Sequence, residues 1–313
     1  MGEKNQTSVA GFILLGFSDH LQLQGLICGT VLLIYLISVL GNFLFLMLMC
    51  ADPQLHKPMY FFLSNLSILD ISYPSLTVPK MLTSFFTQGP FISFYACMTQ
   101  FHFFLTFTEV EMLILAVMAY DRYVAICDPL RYSLIMKKNI CVLLATSSWI
   151  LSFLDMFPVT DMISQLSYCE SNEIDHFFCD PLALIKLSCV STWRVQTLIL
   201  AEGAIIASIP FFLTLTSYVF IISTIMRIQC TDGRLKAFST CASHLTSVIL
   251  FYGTLFGIYL RPASMYSPTQ DKLFSLLYTA LIPMLNPIIY SLRNREIKNT
   301  FSKIRRKTKK LKN

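Results

Sequence analysis

The sequence predicts an all-α membrane protein, a seven-helix transmembrane bundle followed by a short cytoplasmic amphipathic helix. Of its 313 residues, 55% are hydrophobic and only 13% are charged, whereas about 25% of the residues in a soluble domain are charged. The hydrophobic residues also form runs long enough to cross a bilayer, which takes about 20 residues per helix. The seven runs cover residues 23–50, 59–82, 97–126, 140–158, 195–226, 237–260 and 273–292.

The chain between these runs shows no linker and no internal repeat, which predicts one membrane domain. We expect an extracellular N-terminus at 1–22, the seven-helix transmembrane domain at 23–292, and the amphipathic helix with a basic tail at 293–313. The fourth run is the shortest, and we expect its helix to end near Pro158. Transporters are often built from repeated halves, so seven unpaired spans argue against a transporter or channel.

Lysine and arginine indicate the orientation. They concentrate in the connections after the first, third and fifth spans and in the C-terminal tail. Because cytoplasmic loops carry such an excess, we predict a multi-pass protein of the plasma membrane with an outer N-terminus and a cytoplasmic C-terminus. The basic tail is expected to face anionic lipid rather than nucleic acid, with Ile297, Phe301 and Ile304 at helical spacing toward the membrane. On the outer side, Asn5 fits a glycosylation sequon.

Four cysteines fall on the predicted outer side. Cys97 begins the third span, and Cys169, Cys179 and Cys189 lie in the long loop at 159–194. The oxidising compartment favours disulfides, but the spacing alone leaves three pairings open. A zinc site that includes His176 is the alternative, and the absence of a Cys-x-x-Cys pair disfavours it.

The third span ends in an acid–base pair. Between Cys97 and Tyr120 only Glu109 and Glu111 carry formal charge, and Asp121-Arg122-Tyr123 follow directly. Charged side chains are costly in a membrane helix and mark functional sites there. A pair at the end of such a helix can be held neutral and then separated, which suits a conformational switch. A static surface ion pair, worth about 0–1 kcal/mol, is the alternative.

Two other function classes are disfavoured. The chain contains no Gly-x-Ser-x-Gly segment and no His-Glu-x-x-His pair, so it is not predicted to be an enzyme. Residues 273–292 contain no lysine that could hold retinal as a Schiff base, which argues against a light sensor.

Motifs along almost the whole chain resemble those of the odorant (olfactory) receptors, within the class A, rhodopsin-like, G-protein-coupled receptors. They begin with Gly41-Asn42, the segment Leu-His-Lys-Pro-Met-Tyr-Phe-Phe-Leu-Ser-Asn-Leu-Ser at 55–67, and Met-Ala-Tyr-Asp-Arg-Tyr-Val-Ala-Ile-Cys at 118–127. They continue with Ser217-Tyr218, Lys-Ala-Phe-Ser-Thr-Cys-Ala-Ser-His at 236–244, and Pro-Met-Leu-Asn-Pro-Ile-Ile-Tyr at 283–290. The short loop between spans six and seven and the pattern from Cys169 to Cys189 resemble the volatile-sensing (class II) branch.

The resemblance implies a function in olfaction and sensory transduction. Such a receptor would bind small, mainly hydrophobic volatile molecules in the outer half of the bundle and activate the olfactory stimulatory G protein, raising cyclic AMP. A chemosensory receptor for a non-odorant small ligand outside the olfactory epithelium is the alternative. The resemblance also implies disulfides Cys97–Cys179 and Cys169–Cys189, which would make the outer loop a covalently tied lid.

Residue roles follow from the same resemblance. The G-protein switch would comprise Asp121, Arg122, Tyr123, Tyr218, Asn286, Pro287 and Tyr290. Asp70, Glu111 and Asn286 would surround an interior cavity that holds a sodium ion or a shared proton; a purely structural water network is the alternative. No other metal and no cofactor is implied.

The implied odorant pocket is mainly apolar with a few hydroxyl groups. Its lining would be Phe104, Leu105, Thr108, Ile199, Ile206, Tyr252, Leu255, Phe256, Tyr259 and Thr279. Glu109 and Glu202 are departures, since the family pattern requires no acid at either position. If they face the pocket, we expect an odorant with an amine or hydroxyl group. The alternative is that they form interhelical hydrogen bonds or are protonated and take no part in ligand binding.

Overall fold

The computed structural model describes residues 9–17, 24–87, 90–168, 172–259 and 267–293, together with Ile297 and Thr300. These residues form a bundle of seven long helical segments, which confirms the predicted fold class. The first six are α1 (Gln24–Ala51), α2 (Pro58–Ser84), α3 (Phe94–Cys127), α4 (Lys138–Ser164), α5 (Trp193–Met226) and α6 (Thr231–Tyr259). The last, α7, combines Pro268–Leu276, a π-helical turn at Leu277–Leu281, and Ile282–Arg293.

Six of the described helices are long and apolar enough to cross a membrane. The remaining long segment, α2, has 27 residues and carries Asp70 and Lys80. In α3, 67% of the apolar stretch is buried, against 28% in α1, 28% in α4 and 22% in α5. The third helix is therefore the central one, and most of α1, α4 and α5 is left to face lipid.

The predicted end of the fourth helix is wrong. Helix α4 continues through Pro158 to Ser164, although proline removes one backbone donor. Val159 and Ile163, at 1% and 0% exposure, pack into the outer hydrophobic cluster with Phe101 and Leu184. Burial of this last stretch stabilises the helix beyond the proline, and prolines are tolerated in membrane helices.

A small sheet covers the end of the bundle at which α3 begins, called the outer end below after the predicted orientation, and it was not predicted from the sequence. Its strands are β1 (Gly11–Leu14), β2 (Phe91–Ser93) and β3 (Glu173–Ile174), with β1 in the middle. Strand β1 runs antiparallel to β2 and parallel to β3. A Cβ atom at Gly11 would lie 2.2 Å from the Ile92 carbonyl oxygen, so only glycine permits this close approach.

Some expectations concern residues outside the described part of the chain. They are the sequon at Asn5, the half-cystine Cys169, and Phe301 and Ile304 of the amphipathic helix. Ile297 and Thr300 are helical and buried. The Thr300 hydroxyl donates a hydrogen bond to Asp52 Oδ2, at 2.7 Å, which ties this segment to the connection between α1 and α2.

Candidate functional site

The connection between α4 and α5 forms a lid over the outer end of the bundle. Cys179 is joined to Cys97 at the start of α3 by a disulfide, the pairing that the resemblance implies. Gln100 strengthens this attachment, since its Oε1 accepts from the Cys179 amide at 2.9 Å and its Nε2 donates to the Leu76 carbonyl at 2.7 Å. Cys189 is also disulfide-bonded, and its predicted partner lies outside the described residues.

The inner surface of the lid is aromatic. Phe177 and Phe178 are fully buried, and Phe178 packs on Phe104 of α3 with ring centroids 4.6 Å apart. Phe17, just after β1, stacks on Phe177 at 5.9 Å. The lid thus makes direct contact with a residue of the predicted odorant pocket.

An ion pair joins the lid to α7. Lys272 Nζ lies 2.5 Å from Asp175 Oδ1, and the lysine side chain is only 6% exposed while the aspartate is 53% exposed. A buried cation without a partner is costly, so the lid supplies the charge that the outer end of α7 requires.

Two titratable groups of the lid are buried. Burial, together with the nearby Lys272 charge, lowers the pKa of His176 to about 3. Both ring nitrogens of His176 lack a hydrogen-bond partner among the described residues, and the ring packs against Phe177 and Phe178. Burial raises the pKa of Asp180 to about 6, against the opposing effect of the Ala183 and Leu182 amides and Lys186.

Beneath the lid, the predicted lining residues separate into groups. Phe104 and Thr108 face α2 and α7; Thr108 Oγ1 accepts from Tyr73 and Tyr278 at 3.1 and 3.2 Å. Tyr252 packs on Phe211 and Phe256 at 5.1 and 6.0 Å.

The remaining lining residues are more scattered. Leu255 is buried, Thr279 donates to the Ser275 carbonyl at 2.8 Å, and Leu105 and Ile199 pack against the outer cluster. Ile206 is half-buried, and the Tyr259 side chain lies outside the described part.

Glu109 and Glu202, the two acids that the family pattern does not require, are brought together on the side of α3 that faces α4 and α5. Glu109 is buried and interacts with Asp155 of α4 and Glu202 of α5, whereas its neighbour Thr108 contacts α2 and α7. Asp155 was not singled out in the sequence, because a single acid near the end of a span gives no signal of its partners.

A polar network crosses the middle of the bundle. Asn286 Nδ2 donates to both carboxylate oxygens of Asp70, at 2.9 and 3.1 Å, and Asn286 Oδ1 accepts from Ser247 at 3.2 Å. Glu111 is close enough to interact with the Asp70 charge and hydrogen-bonds Tyr278. Tyr278 in turn hydrogen-bonds Tyr73, so the hydroxyl groups beneath the lid connect to the carboxylates.

The chemistry of this donor set fits a small hard cation. Carboxylate, amide and hydroxyl oxygens are the ligands that such ions prefer. Neither Asp70 nor Glu111 leaves a buried oxygen without a partner in the described structure, so an ion would replace protein donors rather than fill unmet ones. Asp70, Glu111 and Asn286 are the residues that would hold it.

The acid–base pair near the C-terminal end of α3 is closed. Arg122 Nε donates to Asp121 Oδ2 at 3.0 Å, a second guanidinium nitrogen contacts the same oxygen, and Asp121 is fully buried. The Tyr132 hydroxyl donates to the other oxygen, Oδ1, at 2.8 Å. Tyr132 lies in a short helix, Tyr132–Ile135, which was not predicted from the sequence.

The remaining predicted switch residues lie in α3, α5 and α7. The Tyr218 hydroxyl is 2.6 Å from His244 Nδ1, and His244 Nε2 is 3.2 Å from the Leu115 carbonyl, so α5, α6 and α3 are connected. Tyr123 stacks on Tyr120. Pro287 lies within α7 and Tyr290 is buried near its end. His244 belongs to a quoted motif but had no predicted role.

Comparison with known proteins identifies the family. A family model described as olfactory receptor matches residues 31–307. The chain is 46% identical over 304 residues to mouse (Mus musculus) olfactory receptor 5AR1, covering 97% of this chain and 98% of the relative. It is equally identical, over 304 residues, to gorilla olfactory receptor 1G1 and human olfactory receptor 5I1, with 97% of each chain covered.

The chain belongs to the olfactory receptor family. It is therefore a multi-pass membrane receptor of the G-protein-coupled class and not an enzyme. Odorant ligands and coupling to a G protein come with membership of this family. The lid, the polar network and the closed acid–base pair are thus features of a signalling receptor.

Proposed function

We propose that this olfactory receptor binds small, mainly hydrophobic volatile molecules beneath the lid and activates the olfactory stimulatory G protein, which raises cyclic AMP. The N-terminal segment and the lid face outward and the end of α3 with the basic tail faces the cytoplasm. The observation that carries the proposal is the course of α3: one central helix holds Phe104 and Thr108 under the lid and Asp121 and Arg122 at its other end.

In this proposal the ligand acts by differential binding. A molecule that binds both arrangements of the bundle equally shifts nothing, so the odorant must favour packing in which the Tyr73–Tyr278–Thr108 contacts change. Those hydroxyls reach Glu111 and, through it, the Asp70–Asn286 pair. The change in packing is then transmitted along α7 toward the cytoplasmic end, through Asn286, Pro287 and Tyr290.

The output step is the separation of Arg122 from Asp121. Tyr218 is the proposed new neighbour of Arg122, since the two side chains already interact across the α3–α5 interface without a hydrogen bond. Tyr123 lies beside them with its ring toward Phe220. The freed guanidinium contacts the G protein. Asp70 and Glu111 hold the sodium ion or shared proton in the resting arrangement.

The test is cyclic AMP in cells that co-express the receptor with the olfactory stimulatory G protein, screened with a volatile panel. We expect a ligand-dependent rise that Arg122→Ala abolishes. Arg131→Ala is the matched control, because Arg131 is 75% exposed and pairs loosely with Asp128 at 3.9 Å. A receptor that reaches the cell surface and responds to a ligand through another G protein would overturn the proposed coupling.

A further inference from the structure

Three carboxylates from three helices approach one another in the outer half of the bundle. Glu109 of α3 interacts with Asp155 of α4 and with Glu202 of α5, and Glu202 also interacts with Asp155. In the part of the chain that the structure describes, no lysine or arginine interacts with any of the three. The group therefore brings together three acids without an internal counter-charge, in a region where charge is costly.

Some buried oxygen atoms of these carboxylates have no hydrogen-bond partner among the described residues. Glu109 is 7% exposed, and its buried Oε2 atom has no partner among the described residues; the same is true of Asp155 Oδ2. Thr106 Oγ1, one turn before Glu109, is also buried without a partner among the described residues, and Ser152 Oγ faces the Glu109 carboxyl. Buried polar atoms are nearly always paired in folded proteins, so the two unpaired carboxylate oxygens, Glu109 Oε2 and Asp155 Oδ2, indicate a missing donor.

The acids point away from the hydroxyl groups beneath the lid. Successive residues of a helix are rotated by about 100°, and Thr108 contacts Tyr73 and Tyr278 while Glu109 faces α4 and α5. No three acidic, histidine or cysteine side chains of the described residues converge closely enough to hold a metal ion. Separated carboxylates with free acceptor atoms suit a donor with several N–H groups on an apolar chain.

We propose that Glu109, Asp155 and Glu202 form a binding site for the protonated amine of an aliphatic ligand, and that it selects ammonium over hydroxyl. This inference rests on the proposed odorant function and specifies the charged group of the ligand, which would lie on the α4–α5 side of α3, apart from the hydroxyl groups beneath the lid. An ammonium group supplies both the positive charge that the acids lack and up to three donors for their free oxygens. An alcohol supplies one donor and no charge.

The test compares hexylamine with hexan-1-ol, which have the same carbon chain. We measure cyclic AMP responses and, separately, the thermal unfolding temperature of the detergent-purified receptor with each compound. We expect hexylamine to activate at lower concentration and to raise the unfolding temperature more than hexan-1-ol. Glu109→Gln, Asp155→Asn and Glu202→Gln should each weaken the amine about tenfold or more, while the response to any active neutral odorant changes by less than about threefold.

Asp161→Asn is the matched control, because Asp161 is an exposed acid on the same helix as Asp155 and pairs with Gln165. Equal weakening of amine and neutral ligands by the three variants, or an amine that neither activates nor stabilises, would overturn the site. If Glu109→Gln does not reach the cell surface, the variants Asp155→Asn and Glu202→Gln still test the site, because both residues are only half-buried. Stabilisation by hexylamine without any cyclic AMP response would retain the site and overturn the proposed coupling instead.

Discussion

The Tyr132 hydroxyl donates a hydrogen bond to Asp121 Oδ1, the oxygen that Arg122 leaves free. Asp121 is thereby held on both sides, by the arginine that follows it and by a residue of the next connection. The closed state of the acid–base pair depends on the loop between α3 and α4 as well as on α3 itself.

Removal of the Tyr132 hydroxyl should raise activity without ligand. Tyr132→Phe leaves Asp121 Oδ1 without its donor, and hydrogen bonds to charged groups contribute about 1.5–3 kcal/mol. We expect about a tenfold shift of the resting equilibrium toward the active state, measured as basal cyclic AMP per receptor at the cell surface. Tyr120→Phe, on the exposed face of α3, should leave the basal signal unchanged; unchanged basal activity in Tyr132→Phe would contradict the role of this bond.

Loss of Asp175 should destabilise the receptor more than loss of Lys272. Asp175→Asn leaves the buried Lys272 ammonium uncompensated, whereas Lys272→Met leaves an aspartate that is already 53% exposed to water. Because unpaired buried charges are costly, we expect Asp175→Asn to lower the unfolding temperature of the purified receptor clearly further. The opposite order would show that the lysine is solvated when the lid is closed.

Acid should weaken the lid through His176. Its pKa in the folded receptor is about 3, below the ordinary value of 6.5, so the stability that it contributes is present above about pH 6.5 and is lost as the pH falls toward 3. At about pH 5.5, one unit below the ordinary pKa of 6.5, the stability lost amounts to about 1.4 kcal/mol. His176→Phe, which keeps the aromatic packing, should remove the loss, measured as the difference in unfolding temperature between about pH 7.5 and pH 5.5.

Asp180 acts in the opposite direction over a similar range. Its pKa is raised from 3.8 to about 6, so folding is favoured at low pH and this contribution falls as the pH rises from about 4 to 6. In the double variant His176→Phe, Asp180→Asn both slopes should disappear. A pH dependence between 4 and 7 that survives in the double variant would assign it to other groups.

Replacement of sodium should test the interior carboxylates. If Asp70 and Glu111 hold a sodium ion in the resting receptor, exchange of external sodium for choline should increase agonist potency several-fold in the native protein. Asp70→Asn should remove that dependence. A native receptor that is insensitive to the exchange would favour a shared proton between the two carboxylates.

The helices could be predicted because the bilayer imposes their length and composition. The apolar runs locate all seven segments, but α4 ends at Ser164 rather than near Pro158, because burial of Val159 and Ile163 outweighs the effect of that proline. Helices α6 and α7 also begin earlier than predicted, at Thr231 rather than 237 and at Pro268 rather than 273. The outer sheet could not be predicted, since strands of two to four residues are too short to show a period of alternation.

Contacts between helices also could not be predicted from the sequence. Asp121–Arg122 are neighbours in the chain, so their pairing could be anticipated, but Tyr132 and His244 reach the same region from other elements. The approach of Asp155 to Glu109 depends on how α4 is rotated about its axis. The rotation of α4 about its axis cannot be predicted from a single sequence.

The middle position of β1 in the sheet has a consequence for biosynthesis. Strand β1 leaves the ribosome first, whereas its partners β2 and β3 follow α2 and α4. Until those helices are inserted, both edges of β1 present unpaired backbone groups, which readily join other chains. The outer sheet can thus form only after the first four long helices have been inserted into the membrane. Epitope tags are best placed ahead of Val9, so that they do not interrupt β1.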